Sequence, residues 1–146
     1  MTGILSGLGD GMVNRGEWQR LSAMREREAK VLLDAGEYAG AYYLCGYAVE
    51  CALKACIVRG LPAESMPEKK DVDRFYTHDL DQLLTLAKLR DAFLTDEDRK
   101  IDWNIVTDWN ERARYRNDIT GAQAASLYRI CTESTIGVLP WLRTVW

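Results

Sequence analysis

The chain has few of the residues from which metal centres and redox sites are built. It holds one histidine, His78, and four cysteines, none of them in a CxxC pair. Because zinc sites and thiol redox motifs need closely spaced cysteine and histidine ligands, the sequence predicts neither a metal site nor a cofactor. No signal peptide is recognisable, so we expect reduced thiols in a cytoplasmic protein. The four cysteines are Cys45, Cys51, Cys56 and Cys131.

An excess of positive charge is also missing. The 19 basic and 22 acidic residues give a formal net charge of −3, so no global field draws the protein to phosphate backbones. A nucleic-acid contact would therefore have to come from a local cluster or from an assembled dimer. The apolar runs are short and interrupted by charges, which predicts that no segment spans a membrane. The sequence also shows no convincing strand alternation and no internal repeat.

What is present is enough apolar sequence for one domain. With 146 residues, of which 47% are hydrophobic, the chain can bury a sizeable core. Residues 1–16 contain five glycines among few apolar residues. Because glycine makes helix nucleation costly, we predict a flexible N-terminal tail over 1–16 and a helical domain over 17–146.

The strongest helical pattern covers residues 37–60. Its apolar and small side chains recur at steps of three and four, which is the stripe that a helix buries against its neighbours. A second row places two phenol groups, a carboxylate and an ammonium group on another side of the same helix. This polar row consists of Tyr43, Tyr47, Glu50 and Lys54.

The segments on either side of this pattern differ in character. Residues 17–35 have one apolar side and one charged side, and Gly36 ends this predicted helix. The short link to the next helix favours an antiparallel hairpin of two long helices. Residues 61–74 contain two prolines and no periodicity, which predicts a loop.

Capping residues indicate where two later helices begin. Thr77 or Asp79 can cap a third helix, which places His78 in its entry turn. Thr95, followed by Asp98 three residues later, resembles a capping box and begins a fourth helix.

The C-terminal part predicts one more helix and an apolar end. The last helix begins near Thr120 and continues until Gly137 and Pro140 end it. The final segment, PWLRTVW, has two tryptophans that would be costly to expose, so we expect it to fold back onto the other helices or to contact a second copy. The fold predicted is all-α, an antiparallel up-and-down bundle of four to five helices.

Two groups of polar residues on these helices each allow two interpretations. Glu50 and Lys54 have the spacing of a surface salt bridge, yet the helix around them is mostly apolar, so a buried ion network is the alternative. For this pair, structural duty is the first interpretation and ligand binding the second. His78 beside Asp79 is first a cap or a packed residue, and second a proton carrier or a donor to phosphate.

A cluster of arginines surrounds Tyr115. In an extended segment, Arg112, Arg114 and Arg116 would point to one side as a phosphate clamp, with the tyrosine free to stack on a base. On a helix they would fan around the axis, and neighbouring carboxylates could neutralise some of them. A solvated charged face is the first interpretation of this run, and the clamp is the second.

Four segments together resemble one protein family. In chain order they are AGEYAGAYYLCGYAVECALKACI, FYTHDLDQLL, DWNERARYR and GVLPWLRTVW, and the run G-Y-A-V-E-x-A-L-K-A is the most specific. From about residue 17 onward the chain resembles small prokaryotic HEPN-domain proteins. This resemblance implies a bundle of four to five helices that dimerises and associates with nucleotides, RNA or nucleotidyltransferase partners.

The resemblance departs from the family pattern at one place. Many HEPN proteins are metal-independent ribonucleases with an arginine and a histidine four to six residues apart, often as R-N-x-x-x-H. Arg116 and Asn117 match the first two positions, but Gly121 stands where the histidine would fall. Cleavage needs a group that takes the 2′-hydroxyl proton, and this base is missing from its usual place.

Three hypotheses follow from the residues and the resemblance. The first is a homodimer without catalytic activity that binds a nucleotide, RNA or a partner protein. The second is a ribonuclease toxin with a rearranged catalytic site of His78 and Arg114, and the third is the helical partner of a minimal nucleotidyltransferase in a two-component, toxin–antitoxin-like system. The candidate ligand-binding residues are Glu50, Lys54, His78, Asp79, Arg112, Arg114, Tyr115 and Arg116.

Overall fold

The computed structural model describes residues 13–61 and 69–146, and all regular structure in these ranges is helical. The all-α prediction is therefore confirmed. Within these ranges, eight α-helices and one 3-10 helix follow each other: α1 Arg15–Asp34, α2 Tyr38–Gly60, α3 Lys69–Phe75, α4 Leu80–Leu86, α5 Arg90–Phe93, α6 Glu97–Thr107, the 3-10 helix Glu111–Tyr115, α7 Gly121–Thr132 and α8 Val138–Arg143.

The predicted count of four to five helices is not confirmed. Four helices of at least 11 residues, α1, α2, α6 and α7, are accompanied in the described ranges by four helices of 7 residues or fewer. The predicted last helix, for example, corresponds to α7, which already ends at Thr132, and the segment after Gly137 forms α8 as a separate short helix. Helices this short carry too few turns to show a periodic pattern.

The start of α1 differs from the predicted domain boundary. The Asn14 side chain accepts a hydrogen bond from the Glu17 backbone N–H at 2.9 Å and caps the helix, so residues 15 and 16 are helical rather than part of a tail. Residues 1–12 of the predicted tail lie outside the described residues. At the other end Gly36 takes a φ of +79°, the left-handed conformation that lets the chain turn from α1 into α2.

Two details of the later segments also differ. The predicted loop over 61–74 is wrong from residue 69 onward, where α3 forms without a fully buried residue; residues 62–68 lie outside the described residues. Helix α6 is capped by Asp96 and not by Thr95, because the Asp96 carboxylate accepts the Arg99 N–H at 2.8 Å. Asp79 and Thr120 cap α4 and α7 as predicted.

Helix α2 forms the centre of the fold. Fourteen of its 23 residues are buried, and α1, α4, α7, α8 and the 3-10 helix pack around it. By length and composition, with a mean hydropathy of 1.3, α2 does qualify as a candidate membrane span, contrary to the expectation from the sequence. Since 78% of that window is buried inside the protein, α2 is explained as a core helix.

Close packing on α2 depends on Gly46. A Cβ atom at this position would lie 2.3 Å from the indole of Trp109, whose Nε1–H donates to the Tyr43 carbonyl at 3.2 Å. Trp109 in turn places the 3-10 helix, which begins two residues later, against α2. The missing side chain of Gly46 thus positions the arginine cluster beside the polar row.

The C-terminal segment folds back onto the bundle, which confirms that part of the prediction. Leu139 and Leu142 of α8 are buried, and the Gln19 side chain donates to the Trp146 carbonyl at 2.8 Å. All four cysteines are buried and free. They behave as small apolar residues.

Candidate ligand-binding site

The polar row of α2 contains a buried ion pair. Lys54 Nζ lies 3.1 Å from Glu50 Oε2 across one helical turn, and the two side chains are only 4% and 3% exposed. The alternative of a solvated surface bridge is therefore wrong for this pair, and the buried ion network is confirmed. Two charges withdrawn from water need further partners, and the surrounding elements supply them.

His78 is the second partner of Glu50. Its ring nitrogen Nδ1 lies 2.9 Å from Oε1 and 3.0 Å from Oε2 of the carboxylate, while the imidazole remains 46% exposed. The backbone around it is fixed locally, because Thr77 Oγ1 accepts the Asp79 N–H at 3.2 Å and Asp79 caps α4 through the Gln82 N–H. Asp79 thus has a structural role next to the site, and His78 is the side chain that reaches solvent.

Two aromatic rings cover the ammonium group of Lys54. The centroids of Trp18, from α1, and Phe75, the last residue of α3, lie 5.3 and 5.4 Å from Nζ, and the rings meet edge to face at 5.8 Å. Ring faces attract a desolvated cation, which offsets part of the cost of its burial. The Trp18 Nε1–H is buried and has no hydrogen-bond partner among the described residues.

Tyrosines continue the polar row toward the N-terminus of α2. Tyr47 and Tyr43 are half-buried and meet edge to face at 6.0 Å, and the Arg25 guanidinium of α1 lies 5.9 Å from the Tyr47 ring. Burial raises the pKa of the Tyr47 phenol, so this group stays a neutral hydrogen-bond donor. Arg25 also pairs with Glu28, which leaves its charge partly compensated.

The arginine cluster lies near Tyr43, at the end of the polar row that is farther from Lys54. The Arg114 guanidinium is 4.8 Å from the centroid of the Tyr115 ring, and Tyr115 is 74% exposed. Arg114 interacts with Tyr115 and, more weakly, with Tyr43 of α2, and both interactions raise the pKa of its guanidinium. The cluster and the polar row therefore share one surface.

The three arginines do not form a one-sided clamp. Arg112 and Arg114 lie on a 3-10 helix with about three residues per turn, so they point in different directions, and Arg116 follows the helix in an extended conformation. Arg116 is bound in two places by Asp118, at 2.9 and 3.1 Å, while no described residue pairs with the side chain of Arg112. Arg112 and Arg114 thus fan around the axis of the 3-10 helix, and the Arg116 charge is neutralised by Asp118.

The candidate residues thus fall into two groups. Glu50, Lys54 and His78 are in contact, and Arg114 and Tyr115 form the second group beside Tyr43. Tyr43 and Glu50 are two turns apart on α2, so the groups are separated by about 10 Å along one face. No contact joins His78 to Arg114 in the described part of the chain.

The chain departs from the ribonuclease pattern at position 121, where the family has a histidine and this chain has a glycine. Gly121 is the first residue of α7, and a Cβ atom there would lie 2.9 Å from Cζ of Tyr38. A side chain at this position would have to displace the tyrosine ring, and the preceding Arg116 is engaged by Asp118. The usual pair of catalytic groups is therefore absent from this segment.

Sequence reasoning missed the contribution of Trp18, Phe75 and Arg25. Trp18 belongs to the apolar side of α1, and Phe75 lies in the segment FYTHDL, but neither pattern indicates a ring over Lys54. The available signal in the sequence was the position of Lys54 on a mostly apolar helix, because an ammonium group there requires aromatic or anionic neighbours.

Comparison with known proteins agrees with the geometry of the bundle. The model of the HEPN domain matches residues 17–143, which is most of the chain. Searches of curated proteins and of solved structures give no significant match. With a match of this extent, the chain belongs to the HEPN-domain family.

Proposed function

We propose that this HEPN-domain protein binds single-stranded RNA along one side of α2 without cleaving it. The observation that carries the proposal is the pair of Arg114 and Tyr115. A ring that is 74% exposed, with a guanidinium 4.8 Å from its centroid, offers a stacking surface for a base and a cation for the adjoining phosphate.

The surface continues from this pair toward His78. We call it the α2 strip, and it consists of Arg114, Tyr115, Tyr43, Tyr47, Arg25 and His78. The strip combines three tyrosine rings with two arginines and one histidine, which is the composition of sites that bind single strands with little sequence preference. Because the strip extends over about two turns of α2, a short oligonucleotide fits it better than a single nucleotide.

Binding is favoured over cleavage by the positions of the cations. A ribonuclease needs a base and a cation at the same phosphate. Lys54 is bonded to Glu50 and enclosed by two rings, and Arg114 lies about 10 Å from the Glu50 level of α2. Among the described residues, the cation joined to His78 through Glu50 is Lys54, which is enclosed by two rings and cannot reach a cleaving phosphate.

The charge of the protein sets a second expectation. With a net charge of −3, affinity must come from a few local contacts, chiefly from the two arginines of the α2 strip, Arg114 and Arg25. Two phosphate contacts to a single strand give a slope of about −1.4 for log K against log[salt]. A much steeper slope would require a larger basic surface than the α2 strip.

The test is a titration of the full chain with fluorescently labelled short RNAs, with ATP and GTP in parallel. We expect binding of RNA, weaker binding after Tyr115→Ala, and intact RNA at the end of the incubation. Arg129→Ala is a matched control, because Arg129 is exposed on α7 and belongs neither to the α2 strip nor to the arginine cluster. If no RNA binds, the proposal is wrong. Binding of ATP or GTP alone would indicate a nucleotide site instead. Breakdown of RNA that requires His78 would favour the ribonuclease hypothesis.

The proposal includes a homodimer in a reducing, cytoplasmic setting. Met24 and Val31, 40% and 66% exposed, lie two turns apart on α1 and give that helix an apolar outer surface that a second copy could cover. The buried free thiols suit a reducing compartment. Sedimentation measures the dimer, and copurification tests the alternative partner, a separately encoded nucleotidyltransferase.

A further inference from the structure

His78 is held so that one ring nitrogen is left for a ligand. Nδ1 faces both carboxylate oxygens of Glu50 at 2.9 and 3.0 Å, and the side chain is 46% exposed. No residue in the described ranges pairs with Nε2. Since the two nitrogens diverge across the ring, the buried carboxylate and a ligand can be bound at the same time.

Glu50 decides which nitrogen carries the proton. The Lys54 ammonium donates to Glu50 at 3.1 Å, so the carboxylate acts as an acceptor toward its other neighbour, His78. An acceptor facing Nδ1 requires a proton on Nδ1, and the neutral ring then has its lone pair on Nε2. Glu50 is therefore a positioning residue, and in the neutral imidazole the exposed nitrogen is a hydrogen-bond acceptor.

We propose that Nε2 of His78 accepts a hydrogen bond from the 2′-hydroxyl of a ribose, so that the α2 strip selects RNA over DNA. This inference rests on the proposed binding of single-stranded RNA. Along a nucleic-acid backbone the ionised phosphates have no proton to donate, and deoxyribose lacks the hydroxyl. The ribose hydroxyl is the backbone group that matches an acceptor at this end of the strip.

Neighbouring contacts support this placement. Tyr47 is a half-buried ring one turn before Glu50, the residue that holds His78, and the Arg25 guanidinium lies 5.9 Å from the centroid of that ring. A nucleotide stacked near Tyr47 would bring its sugar toward the exposed edge of His78, while Lys54, enclosed by Trp18 and Phe75, stays out of reach. Selection of the sugar and binding of phosphate thus occur at opposite ends of one strip.

The experiment compares three oligonucleotides of one uracil-containing sequence: RNA, its 2′-O-methyl form, and DNA with deoxyuridine. The wild-type protein is expected to bind RNA about three- to tenfold more tightly than either of the others, the effect of one hydrogen bond. His78→Ala should remove this preference by lowering the affinity for RNA alone. Equal loss for all three oligonucleotides would assign His78 to a base or phosphate contact and overturn the inference.

A second measurement needs no variant. Because the chain has one histidine, the ¹⁵N spectrum of histidine-labelled protein reports this ring without overlap. The inference predicts the Nδ1–H tautomer for the neutral ring, and Lys54→Met with Glu50→Gln should disturb that preference. A ring in the Nε2–H form overturns the inference even if RNA binds, whereas wild-type protein that binds none of the oligonucleotides overturns the proposed function together with it.

Discussion

Lys54 Nζ lies 3.1 Å from Glu50 Oε2 at a depth where neither side chain is more than 4% exposed. A buried ion pair adds little net stability, because the removal of two charges from water costs about as much as their attraction returns. The pair is therefore better explained by what it holds in place. Its carboxylate anchors His78, the one residue of this network that is substantially exposed to solvent.

Breaking the pair on one side should be costly. Lys54→Met leaves the Glu50 carboxylate buried with His78 as its remaining partner, and Glu50→Gln leaves a buried ammonium group without its carboxylate. Each variant is expected to lower the free energy of unfolding by about 3–5 kcal/mol. The double variant should cost clearly less than the sum of the two. Urea unfolding measures all three, and single variants that cost less than about 1 kcal/mol would show that water reaches the pair.

Gly46 gives a second test, of packing instead of charge. Gly46→Ala would place a methyl group 2.3 Å from the Trp109 indole, and overpacking of this kind costs about 1–3 kcal/mol even though alanine favours the helix. Gly60→Ala in the same helix meets no atom within 4 Å and is the matched control. If both variants unfold at the same urea concentration, Trp109 does not fix the 3-10 helix as described.

The cysteines should be inert in the folded protein. Burial raises the pKa of the Cys51 thiol to about 12 and that of Cys56 to about 11, and all four thiols are buried. Because only the thiolate reacts, iodoacetamide at about pH 8 should leave the native protein unmodified and alkylate all four cysteines in guanidinium chloride. Mass spectrometry counts the modifications, and rapid alkylation of native protein would contradict the burial of these residues.

The hydrogen bonds of the Asp81 carboxylate should make the folded protein less stable in acid than at neutral pH. Burial alone would raise the pKa of its carboxyl, but hydrogen bonds from Trp103 Nε1, at 2.9 Å, and from Arg90 outweigh burial, and the pKa is lowered. A carboxyl with a lowered pKa in the folded state stabilises fully above its unfolded value of about 3.9, and this contribution disappears as the pH falls through the folded value.

The measurement for Asp81 is a set of urea midpoints from neutral pH down into the acid range. Asp81→Asn should be less stable than wild type above the unfolded value, and the difference should shrink as the pH falls. Asp91→Asn removes an exposed carboxylate without removing these hydrogen bonds and serves as the control. A difference between Asp81→Asn and wild type that stays constant with pH would contradict the assignment.

Local rules predicted the elements whose signals lie within a few residues. The caps at Asp79 and Thr120 and the span of α2 depend on short-range hydrogen bonds and on periodicity, and the structure has them where the sequence indicates. Helix α3 was missed because seven residues without a buried side chain show no amphipathic pattern.

The candidate site could be predicted only in part. The row from Tyr43 to Lys54 is visible in the sequence because it lies on one helix. Its burial is not, since the rings over Lys54 come from α1 and α3. The separation of Arg114 from His78 likewise depends on Trp109 packing against Gly46, a contact between residues 63 positions apart that no local pattern records.

The central claim is that RNA binds along the α2 strip, and the most direct measurement is the affinity for a short labelled RNA across a range of salt concentrations. The account predicts that Tyr115→Ala weakens binding about tenfold at every salt concentration, since it removes one stacking contact. Arg114→Ala should weaken binding and make the salt slope shallower by about 0.7, and Arg129→Ala should change neither quantity. An RNA affinity and a salt slope that are the same in Arg114→Ala, Tyr115→Ala and wild type would contradict it.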